Sequence, residues 1–582
     1  MLILGISLFK YDTAAALMRD GVFVAGVENN KLDPRSQLLP EAAIRFCLER
    51  ENVSWSDVDC VAISNDPLRG WSRRALSGCY FSPLSPRSWL YHEGKEIARY
   101  AREHTRIQAL RQRKKTGSFV VCDHHLCHAS SAFFLSPFEQ ALILTLDGEG
   151  DGRAGMVATG RGNRIDALKS ISLSDSVGRV YSRITTMLGF AASREEHKTQ
   201  WLSLEGSPVY KEFMLRIMRP AGQHQPRVDY RYFRRDMNGA FRPSEQFWRE
   251  IGLNGNIAEL ALPDRQNLAS SIQAAVTELV SDLLTELQEK TASQRICLGG
   301  GLFHNSVLVA ALEKKFGTGN IFVPPAPGNA GCALGAAAWV WHQQQNKPRG
   351  PEMRSVYWGP AYSRGEIKEV LDNVKARYAI QNTDEQKFES AIRLLHSGKI
   401  IGWFRGATEF GPRALGHRSI LASPWAPYIT ENLNDFVKHR ESFRPFAVSV
   451  RAEDCERYFV GSPLCRLMNS VASVRPGSNI LPVELQLPGG LVRLHILEKE
   501  ADPILWELLR RFGEKAPAPI LVNTSFNLPG EPPVVRPKDA VRTFFCSGID
   551  ALFLDHFLLT KSSAAHVLHA TSEESPSIPV RF

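Results

Sequence analysis

Three histidines occupy five positions in the segment Asp123-His-His-Leu-Cys-His-Ala-Ser130. On a helix His124 and His128 lie one turn apart and present both imidazoles on one face. That spacing is half of a metal site awaiting a third ligand, and it equally suits histidines packed into a core. Cys127 is an awkward third ligand, because adjacent helical residues point about 100° apart. A second concentration of chemistry lies further along. The stretch RGATEFGPRALGHRSIL (405–421) carries Arg405, Arg413 and Arg418 among glycines, and KHRESFRPF (438–446) soon follows. So many cations at one site require an anion, since buried uncompensated charge is costly, and the guanidinium fork matches phosphate. Asn523, Thr524 and Ser525 of LVNTSFNLPGEPP (521–533) would complete such a pocket with neutral donors. Singly, each segment also reads as a turn or a helix cap; together they point to a nucleotide or an acyl phosphate. The cluster LGGGLFHN (298–305) has the same two readings, a close approach to phosphate or adenine and a tight structural turn.

The elements that must position these groups follow from periodicity. LILGISL, AAALM and VFVAGVE read as strands joined by short turns, followed by a helix over PEAAIRFCLERENV and a strand at VDCVAIS. A second series begins with GSFVVCDHHLCHASSAFFLSPF and continues through ALILTLDGEGDGRAGMVATGRGNRIDAL, again strand, acidic turn, strand, turn, strand. Two halves that each open with a hairpin carrying an aspartate, Asp12 and Asp147, describe a duplicated actin-like ATPase (ASKHA) fold whose turns grip nucleotide phosphates. Residues 264–290 predict a long amphipathic helix, and an Ala-rich helix follows the Gly-Asn-Ala-Gly turn at 328–331. HQQQNKPRGPEM (342–353) is polar and rich in breakers, which predicts a linker. The expected organisation is a first domain over 1–345, a connecting segment over 346–384, a second α/β domain over 385–565 and a tail over 566–582.

A chain of 582 residues exceeds one core, in agreement with two domains. Its 43% hydrophobic and 23% charged residues exclude a disordered or fibrous protein. The ten cysteines form no CxxC pair, so they are read as reduced, and a cytoplasmic location is expected. The N-terminus reads as a strand and neither as a leader nor as a membrane span. Net charge is +9, yet the cations are dispersed except for RIQALRQRKK (106–115), which fits a solvated helix face better than a nucleic-acid contact.

With these residues collected, the chain resembles the NodU/CmcH carbamoyltransferase family. The segments that carry the resemblance are DHHLCHAS, TLDGEGDG (145–152), EHKTQWLSLEG (196–206), LGGGLFHN, PPAPGNAGCALGAA (324–337), EFGPRALGHRSIL (409–421), KHRESFRPFA (438–447) and NTSFNLPGEPP (523–533). The resemblance implies an ASKHA transfer domain followed by a YrdC-like domain that makes carbamoyl-adenylate from carbamoyl phosphate and ATP. A hydroxyl of a specialised metabolite then accepts the carbamoyl group. Small molecules are the implied partners, with a homodimer as an assembly, and neither a membrane nor nucleic acid is implied.

Residue by residue, His124 and His128 match the family's iron-binding pair. Asp12 and Asp147 match acidic turn positions, and Gly299, Gly300 and Asn305 match a nucleotide-contacting loop. Arg413, Arg418, Ser419, Lys438, Arg440, Arg444, Asn523 and Ser525 match the surroundings of the adenylate; Lys438 and Arg444, with Tyr11 and Asp12, are the implied catalytic groups. Mg2+ is implied with ATP, and Fe2+ or another divalent ion at the histidines. Three positions depart from the family. Tyr11 replaces a histidine before Asp12, LPGGLVR (487–493) keeps only Arg493 of HxDGTxR, and Asn329 stands where relatives have a metal-binding aspartate. A neutral amide is a poorer ligand than a carboxylate, so the expectation is a weakened metal site with Asn329 as its third member. His125 is left for an acceptor or phosphate contact. Two alternatives remain: a diverged member with another acceptor or transferred group, and a non-catalytic nucleotide-binding protein.

Overall fold

The computed structural model describes residues 1–8, 12–34, 39–81, 86–221, 225–235, 241–255, 259–350, 353 and 355–561. Tyr11 and the expected tail therefore lie outside the described residues. The chain forms two compact units: Met1–Gly359 with Phe410–Pro412 and Ser462–Val471, and Pro360–Glu409 with Arg413–Gly461 and the chain from Ala472 onward.

Within the first unit, Leu2–Ser7 is fully buried and pairs antiparallel with Ala14–Arg19, which pairs with Val22–Glu28. On its other side Leu2–Ser7 runs parallel to Cys60–Ile63, and that strand to Ser118–Val121. The second sheet repeats this plan. Gln140–Gly150, Arg153–Arg161 and Arg164–Ser172 form the antiparallel run, and Gln140–Gly150 pairs parallel with Ile296–Gly299, which pairs with Ile321–Phe322. Two five-stranded sheets with one strand order are the duplication that the two aspartate hairpins predict.

Two short helices join the halves. Gly331–Trp339 packs on Leu2–Ser7 and Ala14–Arg19, His124–Phe134 packs on Gln140–Gly150 and Ile296–Gly299, and the helices pack on each other. Small residues let them approach. A Cβ built on Gly335 would fall 1.8 Å from the carbonyl oxygen of Cys127, and one on Gly5 would fall 2.0 Å from that of Ala333. The predicted amphipathic helix is present as Leu262–Thr291.

The second unit is built on a ten-stranded sheet whose centre runs Ile401–Phe404, Arg418–Ala422, Ile520–Ser525, Ala447–Arg451, Leu491–Leu497. Part of the expected linker belongs to this unit. Arg364–Asn373 is a helix closed by a capping box between Ser363 and Glu366, and Ala379–Ile380 pairs at the sheet edge with Phe557–Leu558. The second unit thus begins at Pro360, earlier than the polar composition suggests. Conversely, Ser462–Val471 folds into the first unit, where the Ser462 hydroxyl donates to Glu313 at 2.9 Å and Asn469 donates to the carbonyls of Val323 and Pro324 at 3.1 Å each. No helix among the described residues is long and apolar enough to cross a membrane.

The tight helix pair yields a direct test. Gly335→Ala drives a methyl group into backbone that cannot yield, so stability should fall by about 1–3 kcal/mol or more, read as a lower denaturation midpoint at an unchanged slope.

Candidate functional site

Asp123 ends a strand-to-helix turn and caps the helix His124–Phe134, its carboxylate accepting from the amide of Leu126 at 3.1 Å. That cap fixes the helix start, so His124 and His128 project from its first turns. Both are fully buried. Their Nε2 atoms lie 3.1 Å apart. Asp147, on the facing hairpin, brings Oδ2 within 3.2 Å of His128 Nε2 and 3.6 Å of His124 Nε2. Asp147 lies within the register shift between Leu146 and Gly150. Sequence names Asn329 as the third member beside the histidines, and the structure also brings the Asp147 carboxylate to them. Asp147, assigned from sequence to phosphate contacts, is the third group of the triangle. Asn329 stands one turn before Cys332, and its buried Oδ1 has no hydrogen-bond partner among the described residues.

The hairpin tip is held by charges of its own. Glu149, 4% exposed, accepts from Arg179 at 2.6 Å and from Arg74 and Tyr100 at 2.8 Å each. Asp151 accepts from the amides of His124 and Asp66, each at 2.9 Å, while Arg153 pairs with Asp123. Burial alone would raise the Asp147 carboxyl, but the hydrogen bonds and charges of His124 and His128 hold it well below the usual carboxylate range. Burial lowers His124 below its ordinary value, so a neutral imidazole is favoured. His125, left by sequence for an acceptor or phosphate contact, is instead a core residue; it is fully buried, its Nδ1 lies 3.1 Å from Thr145 Oγ1, and burial with the neighbouring cations pushes it well down.

These donors fit a divalent cation. Atoms bonded to one ion at about 2.1 Å lie about 3 to 3.4 Å from each other, close to the 3.1, 3.2 and 3.6 Å edges of the triangle. Two imidazoles and a carboxylate suit iron or zinc. The glycine loop lies beneath them. A Cβ on Gly299 would meet the His128 carbonyl at 2.8 Å, one on Gly300 the Leu146 carbonyl at 2.2 Å, and one on Gly301 the Asp147 carboxylate at 3.0 Å. Asn305 caps the helix Ser306–Phe316 through Leu308 and donates to Gln273 at 2.7 Å, so its polar atoms are engaged in structure. Asp12 opens to solvent but is ringed by protein; desolvation first, then Asp147, Glu28 and Glu196, raises its carboxyl to about 6.

The second unit gathers the predicted cations. Lys438 ends a helical segment and donates to the carbonyl and hydroxyl of Ser525 at 2.7 and 3.2 Å and to Asn527 Oδ1 at 2.7 Å, all neutral acceptors. His439, in the left-handed region at φ 39°, turns the chain so that Arg440 follows. Arg440 donates to Asn434 Oδ1 at 3.2 Å and to the carbonyls of Arg444 and Pro445 at 3.3 and 3.2 Å. Arg493 and Asn523 flank the same residue, Ala447, on neighbouring strands. Burial first, then mutual repulsion, depresses these groups: Lys438 falls well below its usual value beside Arg440 and Arg444, and Arg493 likewise beside Arg413, Arg440 and Arg444. Arg440 falls to about 9, and burial brings Arg413 to about 10.

Arg418 and Ser419 sit differently. The Arg418 guanidinium donates to the carbonyls of Pro360 and Gly406 at 3.0 Å each, His417 at 2.9 Å and Arg405, and lies 3.8 Å over the Phe404 ring. The Ser419 hydroxyl accepts from the Gly416 amide at 3.0 Å, and Ser419 lies opposite Ser525 in the sheet. Sequence reasoning missed Glu409, fully buried, which accepts from the amides of Leu415 and His417 at 2.9 Å each and shapes the GPRALG loop. A buried acidic residue heading a glycine-rich turn was its signal.

Comparison with known proteins agrees with both units. Residues 2–338 match the family model described as carbamoyltransferase N-terminus, and residues 392–561 match carbamoyltransferase C-terminus. The nodulation protein NolNO of Sinorhizobium fredii is 34% identical, over 96% of this chain and 80% of its own length. An uncharacterized protein of Synechocystis sp. is 32% identical over 96% of this chain and 97% of its own. Among solved structures, HypF of T. kodakarensis covers 58% of this chain and 46% of that one at 12% identity and a TM-score of 0.34.

Two outcomes follow. In equilibrium dialysis against Co2+, Asp147→Asn should lower affinity by about 10–100-fold or more, whereas Asn329→Asp should raise it. Asp12, with its folded pKa raised from 3.8 to about 6, binds a proton more readily in the folded state, so its contribution to stability falls as pH rises through that window. Asp12→Asn should therefore raise the melting temperature at pH 8 and leave it unchanged at pH 3.

Proposed function

The chain belongs to the carbamoyltransferase family, and from that premise we propose that it is an ATP-dependent enzyme that makes carbamoyl-adenylate in its second unit and carbamoylates a small-molecule hydroxyl in its first. The supporting observation is the cation cluster of the second unit. Arg440 and Arg444 lie close enough to repel Lys438, and Arg413, Arg440 and Arg444 close enough to repel Arg493, an arrangement whose strain an incoming polyanion relieves. ATP, arriving with Mg2+, and carbamoyl phosphate are such anions. A YrdC-like role for this unit is part of the reading.

The atoms balance as follows. Water takes phosphate from carbamoyl phosphate, leaving carbamate; a carbamate oxygen bonds to the α-phosphorus of ATP, and pyrophosphate leaves. Lys438 and Arg444 bind the phosphates on which charge builds; Lys438 is held by neutral groups that do not neutralise it, while Arg444 lies 3.6 Å from the Glu441 carboxylate. In the first unit the acceptor oxygen bonds to the carbamoyl carbon, AMP leaves, and the acceptor proton passes to Asp12, which is ionised at neutral pH. A divalent cation such as Fe2+ held by His124, His128 and Asp147 would supply a Lewis acid for the carbonyl oxygen. Both histidines are fully buried, and burial lowers His124, which favours a neutral ring with a lone pair available for it. The acceptor expected is a hydroxylated specialised metabolite in the cytoplasm.

Purified protein should exchange labelled pyrophosphate into ATP only when carbamoyl phosphate is present. Lys438→Met should reduce that exchange about 10²-fold or more while Asp147→Asn leaves it intact. Exchange independent of carbamoyl phosphate, or none at all, would sink the reading.

A further inference from the structure

Cys332 belongs to neither the motif that supplies the histidines nor the hairpin that supplies Asp147, yet it reaches the same group. It stands on the helix Gly331–Trp339, fully buried, with Sγ 3.4 Å from Nδ1 of His128. The contact is a product of the close helix pair, since Gly335, one turn on, lies against the Cys127 carbonyl with no room for a side chain. On the far side of the sulfur is the carbonyl oxygen of His124, at 4.0 Å. Thus one thiol touches the ring of one histidine and the backbone of the other.

The two nitrogens of His128 are thereby committed to different neighbours. Nε2 faces His124 Nε2 at 3.1 Å and Asp147 Oδ2 at 3.2 Å, while Nδ1 faces sulfur. If Nε2 gives its lone pair to a cation, the ring proton must reside on Nδ1, and that proton needs an acceptor. Metal-bound histidines ordinarily find a carboxylate, a carbonyl or water for this purpose. Here the neighbour is a thiol sulfur in a dry interior. Sulfur accepts from Nδ1–H, and its own S–H points to the His124 carbonyl, a chain that ties both histidines together. Carbon at this position could do neither; a hydroxyl could do both.

We propose that Cys332 is a positioning residue for the metal centre, accepting the Nδ1 proton of His128 and so holding Nε2 toward His124 and Asp147. The inference rests on the reading of His124, His128 and Asp147 as a cation site. Sγ also lies within 4.8 Å of a ring nitrogen of each histidine, so direct ligation is the competing outcome; the sulfur is assigned to the Nδ1 side of the ring, away from the nitrogen that faces Asp147.

The test uses the full chain loaded with Zn2+ or Co2+, with the wild type compared with Cys332→Ala, Cys332→Val, which keeps the volume, and Cys332→Ser. Zn2+ affinity is measured by competition with a chelator, and the tautomer of His128 by 15N shifts of labelled histidine. Expected are an affinity loss of about 10–100-fold in Cys332→Ala and Cys332→Val, near-complete rescue in Cys332→Ser, and a wild-type His128 protonated at Nδ1 when Zn2+ is bound. Unchanged affinity in both apolar variants overturns the inference and leaves the cation site standing. A wild type that binds neither ion overturns both. A sulfur-to-cobalt charge-transfer band in the Co2+ wild type overturns the positioning role in favour of direct ligation.

Discussion

An ionised carboxylate inside the first unit is the constraint on which its centre depends. Taking Asp147 out of water costs several kcal/mol, and the cost is met only if opposite charge or strong donors stand in fixed places. The two imidazoles answer that need, and every neighbour of Asp147 on the hairpin tip is answered in turn: Glu149 by Arg74, Arg179 and Tyr100, and Asp151 by two backbone amides. Asp123 caps the histidine helix at its N-terminus, where the helix dipole favours negative charge by about 0.3–1 kcal/mol, whereas burial and then Asp123 push the Asp151 carboxyl well up, so Asp151 acts there as a hydrogen-bond acceptor for the His124 amide. Hairpin and helix are therefore locked by electrostatics that would all be lost together if either moved.

The second unit solves the opposite problem. Lys438 and Arg440 are held by neutral oxygens, so their geometry is fixed while their charge is left to repel. Lys438 spends its donors on Ser525 and Asn527, and Arg440 on Asn434 and two carbonyls. The GPRALG segment divides between these tasks. Arg418 and Glu409 tie the loop to its own backbone, while Arg413 and Arg493 join the mutually repelling set. A site arranged in this way gains most from a ligand with several negative charges, because each added contact also removes repulsion.

What could be read in advance was local. The spacing of His124 and His128 gives a shared helix face, and the capping aspartate at 123 precedes them in sequence. The repeat of hairpin and parallel strand in the two halves was also visible, because strand patterning and turn residues are properties of short segments. Convergence was not. Asp147 meets the histidines across the facing hairpin, and Cys332 only through a helix contact across more than two hundred positions of sequence. Of the expected connecting segment over 346–384, the residues from Pro360 belong to the second unit, where Ser363 and Glu366 spell the capping box that starts a helix. No local signal marks Ser462–Val471 as part of the first unit, since what holds it there is Glu313 and two carbonyls.

Asn329 takes on a different meaning once Asp147 is placed. Were Asn329 the replacement for the sole carboxylate, the site would hold two neutral nitrogens and an amide, and binding of a divalent ion would be poor. With Asp147 present, the donor set carries one negative charge. A divalent ion held by such a set retains one unit of positive charge, whereas the family's aspartate at this position would cancel it. Retained charge in a dry interior acts at full strength on whatever oxygen approaches, since low dielectric screens it little. With an ion in place, the amide would weaken the grip on it and strengthen the pull on an incoming oxygen, and both effects would share one electrostatic origin. A buried Oδ1 without a hydrogen-bond partner is what such an arrangement leaves behind, an acceptor that costs free energy until something positive faces it.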